Sequence, residues 1–103
     1  EKISCEEVEN LIFAHPAVKA VALVAMPDPV FGEKACAFVV PKDGHTLDLA
    51  GLVAFLRQQQ IASFKLPERL ELVSALPQSP VGKILKRELR ERLIATMQPQ
   101  APE

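Results

Sequence analysis

The chain has no tryptophan and no tyrosine, and its aromatic content is five phenylalanines in 103 residues. Proteins that bind single-stranded nucleic acid stack bases on aromatic side chains along a positive groove. Neither ingredient is present, since 12 Lys and Arg stand against 13 Asp and Glu for a net charge of −1. Cysteine is equally scarce. Cys5 and Cys36 fit neither a disulfide framework nor a C-x-x-C metal pair, and both read as small buried hydrophobes kept reduced. Long apolar runs are missing too: the longest, residues 20–26, is far too short to span a bilayer. No positively charged start precedes an apolar stretch in the manner of a signal peptide, so a cytoplasmic setting is expected.

What is present is a chain with 49% apolar residues and nine prolines, of a length suited to one domain. Such a chain buries roughly 60–65% of its unfolded surface. Ser4-Cys5-Glu6-Glu7 reads as a capping box, and Val8, Leu11, Ile12 and His15 follow at helical spacing until Pro16 closes the helix. Residues 18–26 and 35–40 are β-rich runs separated by Pro27-Asp28-Pro29-Val30-Phe31-Gly32, a loop longer than a tight hairpin turn. Apolar residues at consecutive positions predict that both sheet faces are covered. Asp48 should cap a helix whose Leu49, Leu52, Val53 and Leu56 form one stripe. Residues 64–67 connect into a short strand at 69–73 with Leu70 and Leu72 alternating against Glu71. Leu85, Leu89 and Leu93 then mark a final helix, with Arg87–Glu91 and Glu88–Arg92 as i,i+4 pairs and no side-chain cap at Ile84 or Leu85. The order is α-β-β-α-β-α, an α+β fold: a small three-stranded sheet with helices packed on it. Residues 98–103 are Pro/Gln-rich and are expected to be a disordered tail, leaving residues 1–97 as the domain.

The segment richest in chemistry is Leu76-Pro77-Gln78-Ser79-Pro80-Val81-Gly82-Lys83 and the charged helix after it. Two prolines stiffen this loop and keep it from joining a sheet. Gly82 permits positive φ, which lets the next side chain project freely. Lys83 is a compact cation on a flexible stem, able to approach a phosphate as a point charge. A P-loop is excluded: Ile84 stands where Ser or Thr is required, and no glycine lies five positions before Gly82.

Five motifs in order resemble the small C-terminal domain of the adenylate-forming superfamily, which holds acyl- and aryl-CoA ligases, luciferases and peptide-synthetase adenylation domains. They are Glu1-Lys2-Ile3-Ser4 with Glu7-Val8-Glu9; His15-Pro16-Ala17-Val18; Pro27-Asp28-Pro29 with Gly32-Glu33-Lys34; Phe64-Lys65-Leu66-Pro67; and the Gly82-Lys83 loop. The resemblance covers essentially the whole chain. Around residues 62–69 it is most similar to ligases that adenylate salicylate or 2,3-dihydroxybenzoate for siderophore assembly.

The resemblance implies a mobile lid domain of an ATP-dependent aryl-acid–AMP ligase, which makes an aryl-adenylate and passes the aryl group to a carrier-protein phosphopantetheine thiol. An acyl- or aryl-CoA ligase shares every motif quoted, and a non-catalytic module that docks carrier proteins or a separate large domain is the reading from another class. ATP and Mg2+ would be held mainly by a large N-terminal domain, the lid's first partner, with carrier-protein phosphopantetheine or CoA as acceptor. Since the chain begins at Glu1 inside a motif, it is expected to be a fragment, and inactive alone. Carried over residue by residue, Lys83 is the catalytic lysine of adenylation and Gly82 sets its loop geometry. Glu1, Lys2 and Ile3 belong to the segment that replaces that loop on the pantetheine side, and Lys34 lies on a loop that could meet an acidic carrier helix. Lys86, Arg87, Arg90 and Arg92 are interleaved with Glu88 and Glu91 and read as a solvated helix face. His15 and His45 lack the partner pattern of metal ligands or nucleophilic catalysis, and no metal site and no membrane contact are expected.

Overall fold

The computed structural model describes residues 4–28, 30 and 32–97. The expected order holds: α1 (Cys5–Phe13), β1 (Val18–Asp28), β2 (Gly32–Pro41), α2 (Leu49–Gln58), a short 3-10 helix (Ser63–Lys65), β3 (Arg69–Leu72) and α3 (Lys86–Met97). The sheet is mixed, in the order β1-β2-β3, with β1 antiparallel and β3 parallel to β2.

The consecutive apolar residues of β1 and β2 fill two separate cores. On one face Leu23, Ala37 and Val39 meet Val8 and Ile12 of α1 and Leu52 and Leu56 of α2. On the other, Ala22, Val24, Cys36 and Phe38 meet Leu89 and Leu93 of α3, joined by Val73, Leu76 and Ile84. The layers are therefore α1 and α2 over one face, α3 and the approach to Lys83 over the other. Both helices follow from spacing: Leu52 and Leu56, and Leu89 and Leu93, recur one turn apart and are fully or almost fully buried. Asp48 caps α2 as expected, its Oδ1 accepting the Gly51 N–H at 2.7 Å.

Four local expectations are corrected. Ser4 occupies the N-cap of α1 but makes no side-chain cap bond, and the Glu7 carboxylate, the other half of the expected box, accepts from Lys65 Nζ at 2.9 and 3.2 Å. That pair ties α1 to the 3-10 helix. α1 also ends at Phe13, before His15; the residue preceding a proline is pushed out of helical geometry, and the His15 N–H closes a turn onto the Ile12 carbonyl at 2.9 Å. The connection between β1 and β2 is tight, since Asp28 pairs with Gly32 and Pro27 with Glu33. A proline is tolerated within an edge strand, and β1 is one. Finally, the i,i+4 pairs of α3 do not form among the described residues; the ion pairs of this region are Lys86–Glu9 and Arg69–Glu71.

Candidate functional site

After β3 the Val73 N–H still donates to the Val39 carbonyl at 2.9 Å, and the chain then crosses the sheet face that α3 covers. Here the loop does something the prolines did not suggest. It stays out of the three-stranded sheet yet folds on itself as a miniature hairpin, with Gln78 bridging Ile84 and the Leu85 N–H donating to the Pro77 carbonyl at 2.9 Å. Its tip is closed by the Gly82 N–H on the Ser79 carbonyl and the Ser79 N–H on the Lys83 carbonyl, both 2.8 Å. Pro80 follows the first residue of this turn, where no N–H is required and its fixed φ is an advantage. Gly82 has φ +86°, the left-handed geometry that completes a turn-plus-bulge hairpin.

Lys83 thus has a fixed backbone and an exposed side chain. Its N–H donates to Ser79 Oγ at 3.2 Å, while the side chain forms no ion pair with any described residue. Beside it at the tip, Val81 is 90% exposed, so the hairpin presents an apolar side chain next to a cation. Ser79 and Val81 were not singled out from the sequence. The signal for Ser79 was the Ser-Pro-x-Gly spacing of a type I turn closing on a positive-φ glycine.

Lys34 lies at the start of β2, where its Nζ is 3.7 Å from Asp28 Oδ1 and 3.8 Å from Glu68 Oε1. It borders a groove of about 570 Å³ that runs along α2 and the 3-10 helix past Arg57, Phe64, Leu66 and Pro67. Phe64 is 43% exposed there, and Arg57 has no ion pair with a described residue, which makes it a second cation of this rim that the sequence did not flag. The structure does not bring Lys83 and the groove together: the lysine hairpin packs with α3, and the groove belongs to the α2 layer. Glu1, Lys2 and Ile3 lie outside the described residues, as does the 98–103 segment.

The histidines and cysteines are structural or exposed. His15 stacks edge-on against Phe55 at 4.8 Å and accepts the Ala17 N–H on Nδ1 at 3.0 Å; His45 is an exposed turn residue. Burial pushes the Cys36 thiol up to about 12, with Glu71 adding and Arg69 opposing. Burial likewise raises Cys5, against the pull of Lys86. Both remain thiols at neutral pH, unsuited to nucleophilic work. No group of three or more His, Cys, Asp or Glu is gathered among the described residues, and no helix among them is long and apolar enough to cross a membrane.

Residues 7–83 match the protein family described as the AMP-binding enzyme C-terminal domain. The chain belongs to this family. It is 47% identical over 93 residues to 2,3-dihydroxybenzoate-AMP ligase of Bacillus subtilis (strain 168), an alignment covering 90% of this chain and 17% of the relative. It is 52% identical over 91 residues to a salicylyl-CoA synthase / salicylate adenylyltransferase of Streptomyces sp., covering 88% of this chain and 16% of that protein. Among solved structures, apo MbtA of Mycobacterium smegmatis superposes with a TM-score of 0.83 at 39% identity, over 89% of this chain and 17% of that one. The AMP-binding C-terminal domain described here therefore spans about one-sixth of the length of the relatives it matches.

Proposed function

We propose that the chain is the C-terminal lid of an ATP-dependent aryl-acid–AMP ligase acting in siderophore assembly, and that Lys83 is its adenylation lysine. The observation that carries this reading is the hairpin: a lysine with its backbone pinned at both peptide groups and its side chain exposed and in no ion pair with a described residue, in a domain about half identical to aryl-acid ligases.

Adenylation brings a substrate carboxylate onto the α-phosphate of ATP, and pyrophosphate leaves. Two anions must approach, and negative charge grows on the phosphoryl oxygens as the new bond forms. A cation held between carboxylate and phosphate aligns both and stabilises that charge without reorganising. The rigid tip and mobile four-carbon stem of Lys83 suit this task. A large N-terminal domain supplies the acid, ATP and Mg2+ sites, and the adenylate then passes to a phosphopantetheine thiol. For that second step the lid turns its other side to the active centre, with Glu1, Lys2 and Ile3 replacing the lysine loop and Lys34 on the rim that meets a carrier.

The test is Lys83→Ala in the full-length ligase. Acid-dependent ATP–pyrophosphate exchange should fall by about 10²–10³, the range for removing one electrostatic contact from a transition state. Thioester formation from a supplied aryl-adenylate should be retained. Equal loss in both half-reactions would refute the assignment.

A CoA-ligase lid is the second reading, favoured by the relative whose name joins a CoA synthase with an adenylyltransferase. It keeps Lys83 in the same role and changes the acceptor.

A further inference from the structure

Three elements converge on one carboxylate outside the lysine hairpin. Glu9 sits on α1 with its side chain only 20% exposed. Its Oε2 accepts the Leu23 N–H at 2.7 Å and faces Lys86 Nζ at 2.6 Å. Leu23 belongs to β1, an edge strand, and an unpaired amide on such an edge invites pairing with another chain. Glu9 satisfies it. The two partners of this carboxylate, however, belong to different layers. α1 buries Val8 and Ile12 against one face of the sheet, whereas Lys86 opens α3, whose Leu89 and Leu93 fill the opposite face. The Glu9 side chain therefore reaches around the free edge of β1 and ties the two layers together.

The place where it grips α3 matters. Lys86 is the first residue of that helix, three positions after Lys83, and only Ile84 and Leu85 separate them. The hairpin's other holds are the Gln78–Ile84 bridge, the Pro77–Leu85 bond and the packing of Leu76 and Ile84. These fix its internal shape and its seat on the face. None of them reaches the opposite layer. At 2.6 Å the Glu9–Lys86 contact is a close ion pair whose carboxylate is largely shielded from solvent, and a displacement of about 1 Å at a reacting centre can cost on the order of 10² in rate.

We infer that Glu9 is a positioning residue for Lys83: through Leu23 and Lys86 it locks the start of α3, and with it the lysine hairpin, to the α1 layer. This inference rests on the reading of Lys83 as the adenylation lysine. A role confined to guarding the β1 edge would need only the Leu23 bond.

Lys86→Gln separates the two, because it cuts the link to α3 and leaves Glu9 on Leu23. In the full-length ligase this variant should lower the adenylation kcat about tenfold, with little change in KM for ATP or acid. Thiolation from a supplied adenylate should persist, and Lys86→Arg should restore the rate. On a Lys83→Ala background Lys86→Gln should cause almost no further loss, since residues acting through one another are not additive. The same proportional loss on both backgrounds, or a raised KM for ATP, overturns the inference. If Lys83→Ala alone leaves adenylation intact, the catalytic reading fails instead. The mechanical link is then judged by amide exchange in the 103-residue chain. Lys86→Gln should speed exchange at Gly82 and Lys83 about tenfold while Val39 and Leu89 stay protected; unchanged loop exchange overturns it.

Discussion

Ser79 grips Lys83 twice: its N–H donates to the Lys83 carbonyl at 2.8 Å, and its hydroxyl oxygen accepts the Lys83 N–H at 3.2 Å. Both polar groups of the lysine's own backbone are thus spoken for, and only the side chain is left to reach outward. The hairpin between them closes through Gly82 at φ +86°, so the direction of Lys83 depends on a residue that has no side chain at all.

Gly82→Ala should therefore damage function more than folding. A Cβ there would meet no atom within 4 Å, so its cost is conformational, about 1–2 kcal/mol for a non-glycine residue held in left-handed geometry. That is enough to open a surface hairpin and too little to unfold two buried cores. Adenylation should drop about tenfold or more, with the melting temperature of the domain shifted by only a few degrees. Gly82→Asn should be milder, because asparagine tolerates this geometry. Full exchange activity in Gly82→Ala would show that the hairpin need not hold its shape.

The 103-residue chain should fold cooperatively and yet catalyse nothing. Leu23, Leu52, Leu56, Leu89 and Leu93 are fully or almost fully buried within it, so both faces of the sheet are already closed. Lys83 is one cation on an exposed tip, and the groove near Arg57 lies in the other layer. A single sharp urea transition with no acid-dependent ATP–pyrophosphate exchange is expected. Exchange by this chain alone would contradict its reading as a lid.

Stability should fall on the alkaline side through Cys36. Its folded thiol is held near 12 against an ordinary 9.0, so the native state keeps a proton that the unfolded chain releases. The contribution is fully present below about pH 9 and is lost as pH rises towards 12, at up to about 1.4 kcal/mol per unit. Alkaline loss of stability is a property of the whole chain, so the comparison needed is with Cys36→Ala. That variant should start less stable at pH 7.5, because it leaves a small cavity, but lose less between pH 9 and 10.5. Parallel urea-midpoint curves for the two proteins would show that Cys36 is not the titrating group.

The sequence disclosed the parts of this domain whose physics is local or periodic. Asp48 caps α2 because an N-cap bond spans three residues, and the two-sided sheet follows from apolar neighbours at residues 20–26 and 35–40. Contacts that depend on the assembled fold stayed hidden. Glu7 had a capping partner three residues away in Ser4 but was taken by Lys65, 58 residues on. Nothing local set Glu9 apart within its Glu7-Val8-Glu9 motif; its role depends on β1 placing the Leu23 amide beside it. Lys34 read as an open cation, yet it is drawn between Asp28 and Glu68 once the β1–β2 connection tightens. Lys83 was singled out from its motif, whereas Ser79, which pins its backbone, was passed over although its Ser-Pro-x-Gly spacing was there to read.

The pairing of Lys34 reshapes the experiment that separates a carrier-protein ligase from a CoA ligase. A carrier docks as a whole folded partner, and charges at the rim of such a contact mainly govern association rate and its salt dependence. Lys34 shares its charge with Asp28, whose side chain is only 14% exposed, and with the exposed Glu68, so an acidic carrier helix can compete for it at reduced advantage. Arg57 has no such competitor among the described residues and borders the same groove. Lys34→Glu and Arg57→Glu should both slow aryl transfer to a carrier, Arg57→Glu the more. Neither should alter adenylation, and transfer to free CoA, which lacks a docking helix, should barely change. The loss should shrink as salt rises, since exposed charges are screened over about 8–10 Å at physiological ionic strength. Lys34→Gln serves as the control for repulsion, because Lys34→Glu sets a third carboxylate beside Asp28 and Glu68. Loading of carrier and of CoA is measured side by side for each variant. If CoA is the better acceptor and the variants treat both alike, the groove does not receive a carrier and the lid belongs to a CoA ligase.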